Sequence, residues 1–120
     1  MSGIYDQHQA AFSSVSAYVI LKNGERVGSV AFKFPRDGAG RLSCYFHIFG
    51  GTMVKGTASG YGYDKRSAAA EDAVRKINPD NYFPEAQDNV VAIKAALGTR
   101  DGVDWDRRIQ DAGFVVLQAV

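Results

Sequence analysis

The sequence has one cysteine, three prolines and two histidines among its 120 residues. With Cys44 alone, the chain cannot form an internal disulfide or a structural zinc site that is built from several thiolates. The histidines, His8 and His47, are far apart, and no acidic cluster accompanies His47, so the pattern does not favour metal binding. We therefore expect a fold that is held together by its hydrophobic core, with no metal and no cofactor.

Long hydrophobic runs and an excess of charge of one sign are also missing. No apolar run approaches the ~20 residues that span a bilayer, and the first residues lack the basic and apolar regions of a signal peptide. The 14 Lys and Arg residues nearly balance the 13 Asp and Glu residues, for a net charge of +1. Such a balance argues against a protein that coats nucleic acid through bulk electrostatics. We expect a cytoplasmic protein with no membrane contact.

The residues that are present indicate a single α+β domain. Hydrophobic residues make up 46% of the chain, which is typical of a globular protein, and the length fits one domain. The first half is rich in strand formers, whereas most of the second half has helical periodicity. We expect residues 1–120 to form one domain, with 1–14 as a flexible or peripheral N-terminal segment.

Four strands are predicted in the first half, over 17–22, 26–34, 41–49 and 52–58. Their connections are too short for parallel crossovers, so they should form an antiparallel meander. The Asn23-Gly24 pair favours a tight hairpin between the first two strands, because both residues tolerate positive φ. Alternation is clearest in the third strand, whose apolar face consists of Leu42, Cys44, Phe46 and Ile48.

Two to three helices and a last strand are predicted in the second half. Asp64 is a candidate N-cap for the first helix, Pro84 is suited to open the second, and Asp104 is a candidate cap for the third. The apolar run 114–117 predicts a C-terminal strand that is buried on both faces. The resulting prediction is an α+β fold with a four-stranded antiparallel meander, then the helices, then this strand, and with the helices packed on one face of the sheet.

A catalytic role is not indicated by the residues that could carry one. Cys44 and His47 are three positions apart in a predicted strand, which places their side chains on opposite faces. A Cys–His pair within this strand is therefore excluded. We expect Cys44 to be a small buried hydrophobe, and we expect the protein not to be an enzyme.

A glycine-rich turn before the first helix is the strongest candidate for ligand binding. Free amides and the helix dipole at a helix N-terminus attract anions, and Lys65 and Arg66 place positive charge there. Tyr61 and Tyr63 beside them suit a planar, charged ligand, through stacking and cation–π contacts. The alternative is a flexible turn with Asp64 as the cap and two solvated cations.

A second cluster of cations lies near the C-terminus. The guanidinium groups of Arg107 and Arg108 could clamp a phosphate. The alternative is a solvated helix face, with Arg107 pointing outward. If the clamp exists, replacing both arginines by Ala should abolish ligand retention and leave the melting temperature almost unchanged.

Two stretches of the sequence resemble small bacteriophage proteins. In 57–77 a predicted strand runs into Gly60-Tyr61-Gly62-Tyr63-Asp64-Lys65 and an Ala-rich helix, and the ending from Trp105-Asp106-Arg107-Arg108 to Val120 is also similar. In size and in element order the chain is most similar to the phage anti-Thoeris sponge family. We expect a homo-oligomer, because a domain this small forms a deep pocket most easily at a subunit interface. The resemblance implies an anti-defence protein in the host cytoplasm, for which Arg107, Arg108, Phe83 and Asn89 are positions of a suitable type to contact the ligand. Such a protein would sequester a cyclic ADP-ribose-type signal or a cyclic oligonucleotide without cleaving it.

A second resemblance is to a double-stranded RNA-binding domain. Over roughly 15–77, three strands, a glycine-rich turn, Lys65-Arg66 and an Ala-rich helix are similar to the RNA-contacting end of that module. Residues 1–14 make a poor first helix, and Asp64, Glu71 and Asp72 dilute the positive charge. This resemblance implies the alternative class, an inhibitor that binds nucleic acid or, like an anti-CRISPR protein, a protein target.

Overall fold

The structure, a computed structural model, describes residues 15–33, 38–60, 64–98 and 104–119. The described residues form five strands and three α-helices, so the prediction for residues 1–14 lies outside them. The strands are β1 (Val15–Lys22), β2 (Glu25–Lys33), β3 (Arg41–Ile48), β4 (Val54–Ser59) and β5 (Val115–Gln118). The helices are α1 (Asp64–Arg75), α2 (Pro84–Leu97) and α3 (Trp105–Asp111), with a 3-10 turn at Pro79–Asn81.

The five strands form one antiparallel sheet in the order β4-β3-β2-β1-β5. The predicted α+β class, the meander and the C-terminal strand are therefore confirmed. The prediction that the last strand is buried on both faces is wrong. Among the described strands β5 pairs only with β1, and at this sheet edge Val115 and Leu117 are 48% and 53% exposed. Apolar composition alone does not distinguish an edge strand from a central one.

The β1–β2 hairpin has the predicted tight turn and one irregularity. Asn23 and Gly24 have φ angles of 53° and 83°, the positive values that a type I′ turn requires. Pairing then passes from Leu21–Arg26 to Ile20–Gly28, which leaves Val27 as the extra residue of a β-bulge. Because the bulge inserts one residue, Arg26 lies on the same face of the sheet as Leu21.

The helices cover one face of the sheet, and the hydrophobic core lies between the two layers. Gly56 of β4 marks the closest approach: a Cβ there would lie 2.7 Å from the Cα of Ala73 and would also overlap the Ala69 carbonyl oxygen. Alternate strand residues point into this layer and are buried. The buried strand residues are Ile20, Val30, Phe32, Leu42, Cys44, Phe46 and Ile48.

The other face of the sheet, which we call the open face, carries the remaining strand side chains. Tyr45 of β3 and Lys55 of β4 pair across the strands there. At the β1–β5 side, Val19 pairs with Leu117. Since the helices pack against the opposite face, none of the described helices covers these side chains.

Local signals set the helix ends. Pro84 opens α2, as expected, and Gly98 follows the helix as its C-cap. The Asp104 side chain makes no capping hydrogen bond at the start of α3, where the Trp105 N–H donates to Ser67 Oγ at 2.9 Å. Within the described ranges, no helix is both long and apolar enough to span a membrane.

Candidate functional site

A groove opens where the ends of β2 and β3 meet the start of α2. Its volume is about 370 Å³, within the ~300–1,000 Å³ typical of small-molecule sites. Phe49 and Phe83, which are 37% and 67% exposed, both line it. We call this cavity the Phe49–Phe83 groove. It brings together two of the predicted ligand residues, Phe83 and Asn89.

The turn after β3 positions the two aromatic side chains. The Phe83 N–H donates to the Gly50 carbonyl oxygen at 3.1 Å, and the Phe83 carbonyl oxygen accepts from the Ala86 N–H at 2.9 Å. Gly50 has a φ of +105°, and a Cβ there would lie 2.5 Å from the Ala86 side chain. Glycine therefore allows the turn to pack directly under α2, which places Phe49 beside Phe83.

Polar groups of both signs surround the two rings. The Arg26 guanidinium lies 6.0 Å from the centre of the Phe49 ring, a cation–π distance. Asn89 and Glu85 are four positions apart on α2 and therefore lie on one side of the helix; together with Glu25 they also line the groove. The groove thus offers aromatic surface for a planar group, guanidinium donors, an amide that both donates and accepts, and carboxylate acceptors.

The cation pair of the glycine-rich turn is not part of this groove. Lys65 and Arg66 are half-buried in the first turn of α1. Arg66 donates from Nη1 to the Tyr18 hydroxyl at 3.2 Å, and its guanidinium lies 5.5 Å from the Phe32 ring centre. The Arg66 side chain therefore packs against the β1–β2 side of the core.

A second cavity, of about 160 Å³, lies beside Arg66. Asp104 and Asp106 line it together with Arg66, so carboxylates outnumber the cation. Its volume is below that of a typical nucleotide pocket, whereas its balance of one cation against two carboxylates is the same as in the Phe49–Phe83 groove. Tyr61 and Tyr63, which were expected to complete an anion site here, lie outside the described residues.

The two C-terminal arginines do not come together as a phosphate clamp. Arg107 is exposed, as expected, whereas Arg108 is 5% exposed and pairs with the equally buried Glu71 at 2.7 Å. Because Arg108 is buried in an ion pair, we now expect its replacement to lower the melting temperature, unlike the replacement of Arg107. Removal of Arg108 would leave the Glu71 carboxylate buried without this cation.

Cys44 and His47 lie on opposite faces of β3, as the alternation requires. Cys44 is fully buried in the core, and burial raises the pKa of its thiol well above the ordinary value, so the thiolate is strongly disfavoured. On the open face, His47 Nε2 lies 3.0 Å from the Gly51 carbonyl oxygen. The prediction that Cys44 is a buried hydrophobe is confirmed.

Three residues that make the contacts described above, Arg26, Phe49 and Glu71, were not singled out as such by the sequence. Arg26 reaches the groove through the β-bulge, which no local pattern indicates. Phe49 lies at the end of the third predicted strand, and no pattern in the sequence assigned it to a site. Glu71 did offer a signal, since it is a charged residue between Ala70 and Ala73 on the apolar side of α1.

Comparisons with protein-family models, with curated proteins and with solved structures find no match for this chain. Among the described residues, no group of three or more His, Cys, Asp and Glu side chains is placed to hold a metal ion.

Proposed function

We propose that this protein is a non-enzymatic binding protein that sequesters a small cyclic nucleotide in the Phe49–Phe83 groove. The observation that carries the proposal is a ligand-sized groove, of about 370 Å³, with two exposed phenylalanines on its walls. The resemblance to phage sponge proteins supplies the biological context: an anti-defence protein in the host cytoplasm that withholds an immune signal from its receptor.

The groove has groups for each part of a nucleotide. Phe49 and Phe83 offer faces on which a base can stack, which contributes about 1–3 kcal/mol per base. The Asn89 amide can pair with the edge of the base, since it donates and accepts. Arg26 is the groove's cation and can bind a phosphate, while Glu25 and Glu85 can accept hydrogen bonds from ribose hydroxyls.

Binding without conversion, the proposed mode, predicts that a retained ligand is released intact. Cleavage would instead assign a catalytic role to the carboxylates of the groove, Glu25 and Glu85, which belong to a residue type that can act as general acid or base.

We predict that Phe83→Ala and Asn89→Ala each weaken ligand retention about tenfold, since each removes a stacking or hydrogen-bonding partner. The protein is incubated with cyclic ADP-ribose isomers and cyclic oligonucleotides, filtered and heat-denatured, and the released material is identified by mass spectrometry. Val91→Ala is the matched control, because Val91 is an exposed α2 residue outside the groove. Cleaved ligand would indicate an enzyme, and no retention of any nucleotide would refute the proposal.

We further propose that the protein is a homo-oligomer that pairs through β5. The outer edge of β4 is covered by α1, because the Thr57 N–H donates to Asp72 and Lys76 Nζ donates to the Lys55 carbonyl oxygen, both at 2.8 Å. The opposite edge of the sheet is β5, which carries exposed Val115 and Leu117. An apolar edge strand is a template for pairing with a second copy.

We predict that Leu117→Lys converts the oligomer to a monomer, because a charged side chain on an edge strand opposes strand pairing. Light scattering during size-exclusion chromatography measures the solution mass of both proteins. Val91→Lys introduces the same charge at an exposed position away from β5 and should keep the wild-type mass. A wild-type protein that is already monomeric would refute the pairing.

A further inference from the structure

A row of three rings runs along the open face. Tyr45, His47 and Phe49 occupy alternate positions at the end of β3, and alternate strand residues point to one face at steps of ~6.6 Å. The His47 and Phe49 ring centres are 5.1 Å apart, and the His47 ring is held by its contact with the Gly51 carbonyl oxygen. We call these three side chains the ring row.

Small side chains flank the ring row on β2. Ala31 lies opposite Tyr45, and Ser29 lies opposite His47. On β4, the residue opposite Tyr45 is Lys55. The side chains that β2 places beside Tyr45 and His47 are therefore shorter than the rings, and none of the described helices covers this face of the sheet.

The charge along the ring row is mainly positive, and the acids near it, Glu25 and Glu85, lie at its Phe49 end, where they line the Phe49–Phe83 groove. Lys55 Nζ lies 5.8 Å from the Tyr45 ring centre, and the Arg26 guanidinium lies 6.0 Å from that of Phe49. Lys33 is exposed and pairs with Ser43 on the same face. The described strands contain one acidic residue, Glu25. Glu25 pairs with Lys22 and alternates with Arg26 along β2, so it lies off the open face. The other Asp and Glu residues of the described segments lie in the helices and turns. The described side chains of the open face therefore carry a net positive charge, although the whole chain is nearly neutral.

We propose that the open face binds single-stranded nucleic acid along the ring row. Successive bases stack on Tyr45, His47 and Phe49, and the backbone phosphates lie against Lys33, Lys55 and Arg26. A single strand is required because the bases of a duplex are stacked on each other and are not available to side chains. This activity goes beyond the groove and uses a different surface; the two meet only at Phe49 and Arg26.

The test is fluorescence anisotropy of a labelled oligothymidylate, titrated with the protein at several salt concentrations. Tyr45→Ala should weaken binding about tenfold, whereas Tyr45→Phe, which keeps the ring, should stay within about twofold of wild type. Lys55→Ala should reduce the slope of log affinity against log salt by about 0.7, the contribution of one phosphate contact on a single strand. Arg75→Ala removes the same charge from an exposed helix position and should leave the slope unchanged.

Several results would overturn the proposal. The first is that the folded wild type does not bind at low salt. The second is that a duplex of the same length binds as tightly as the single strand, and the third is that Tyr45→Ala and Lys55→Ala both keep wild-type affinity. Circular dichroism checks that each variant folds, and if Tyr45→Ala does not, the exposed Lys55→Glu change carries the test. Phe83→Ala, which should impair the groove, should not impair oligothymidylate binding, so this proposal and the proposed groove function fail independently.

Discussion

Replacing Arg108 by Met while Glu71 remains should lower the free energy of unfolding by about 3–5 kcal/mol. The two side chains are each 5% exposed, and their charged atoms are 2.7 Å apart. Replacing Arg108 takes its guanidinium away from the buried Glu71 carboxylate, and this cost exceeds the loss of the hydrogen bond itself. The measurement is equilibrium urea unfolding, with the loss read from the midpoint at constant slope. Because a domain is typically stable by only ~5–15 kcal/mol, the variant should be close to unfolding at physiological temperature.

Two matched variants separate the buried charge from other causes. Arg107→Ala removes the neighbouring exposed guanidinium and should change the free energy of unfolding by less than about 0.5 kcal/mol. The double variant Glu71→Leu/Arg108→Met replaces both charges by apolar groups and should recover most of the stability that the single change removes. A double variant that is as unstable as the sum of its single changes would contradict the buried ion pair as the cause.

The Glu71–Arg108 pair also explains how the short helix α3 is held in place. It joins α1 to α3 across 37 positions of sequence, and the bond from the Trp105 N–H to Ser67 Oγ joins the same two helices. Trp105 then packs edge-to-face on Tyr18, with ring centres 5.0 Å apart. Arg108, which the sequence suggested as half of a phosphate clamp, therefore helps to attach α3 to the rest of the domain.

Gly56→Ala should be the other severe change, with a loss of about 3 kcal/mol or more in the free energy of unfolding. A Cβ at this position would lie 2.7 Å from the Cα of Ala73 and would overlap the Ala69 carbonyl oxygen and the Ala73 amide nitrogen. All of these atoms belong to the backbone of α1, so no side-chain rotation can relieve the overlap. The helix would have to move away from β4, which would open the core between them. Thermal and urea unfolding both measure the effect.

Gly38→Ala is the control for that change. A Cβ at Gly38 would meet nothing within 4 Å, and the residue does not have a positive φ. This substitution should be neutral or slightly stabilising, because alanine restricts the unfolded chain more than glycine does. If Gly56→Ala unfolded at the same urea concentration as Gly38→Ala, the close packing of α1 on β4 would be wrong.

The sequence predicted the elements of this fold well, because each has a local cause. Asn23-Gly24 predicts a turn through backbone preference, Pro84 predicts a helix start because it lacks an amide, and the alternation from Leu42 to Ile48 predicts a strand with one buried face. These signals depend on residues a few positions apart, and the structure confirms them. For the candidate site, the sequence supplied Phe83 and Asn89 as suitable types but did not indicate that they share a groove.

The tertiary structure decided what depends on contacts between distant residues. It placed the apolar β5 at the edge of the sheet, brought Arg26 to Phe49 through a β-bulge, and buried Arg108 against Glu71. Local preference does not determine strand order, register or the partner of a charge, because their free energies belong to pairs of residues that only the folded chain brings together. The sequence by itself thus determined the elements and their two-layer order. The tertiary structure determined which aromatic and charged side chains face solvent together, and it is on these that the proposed binding sites depend.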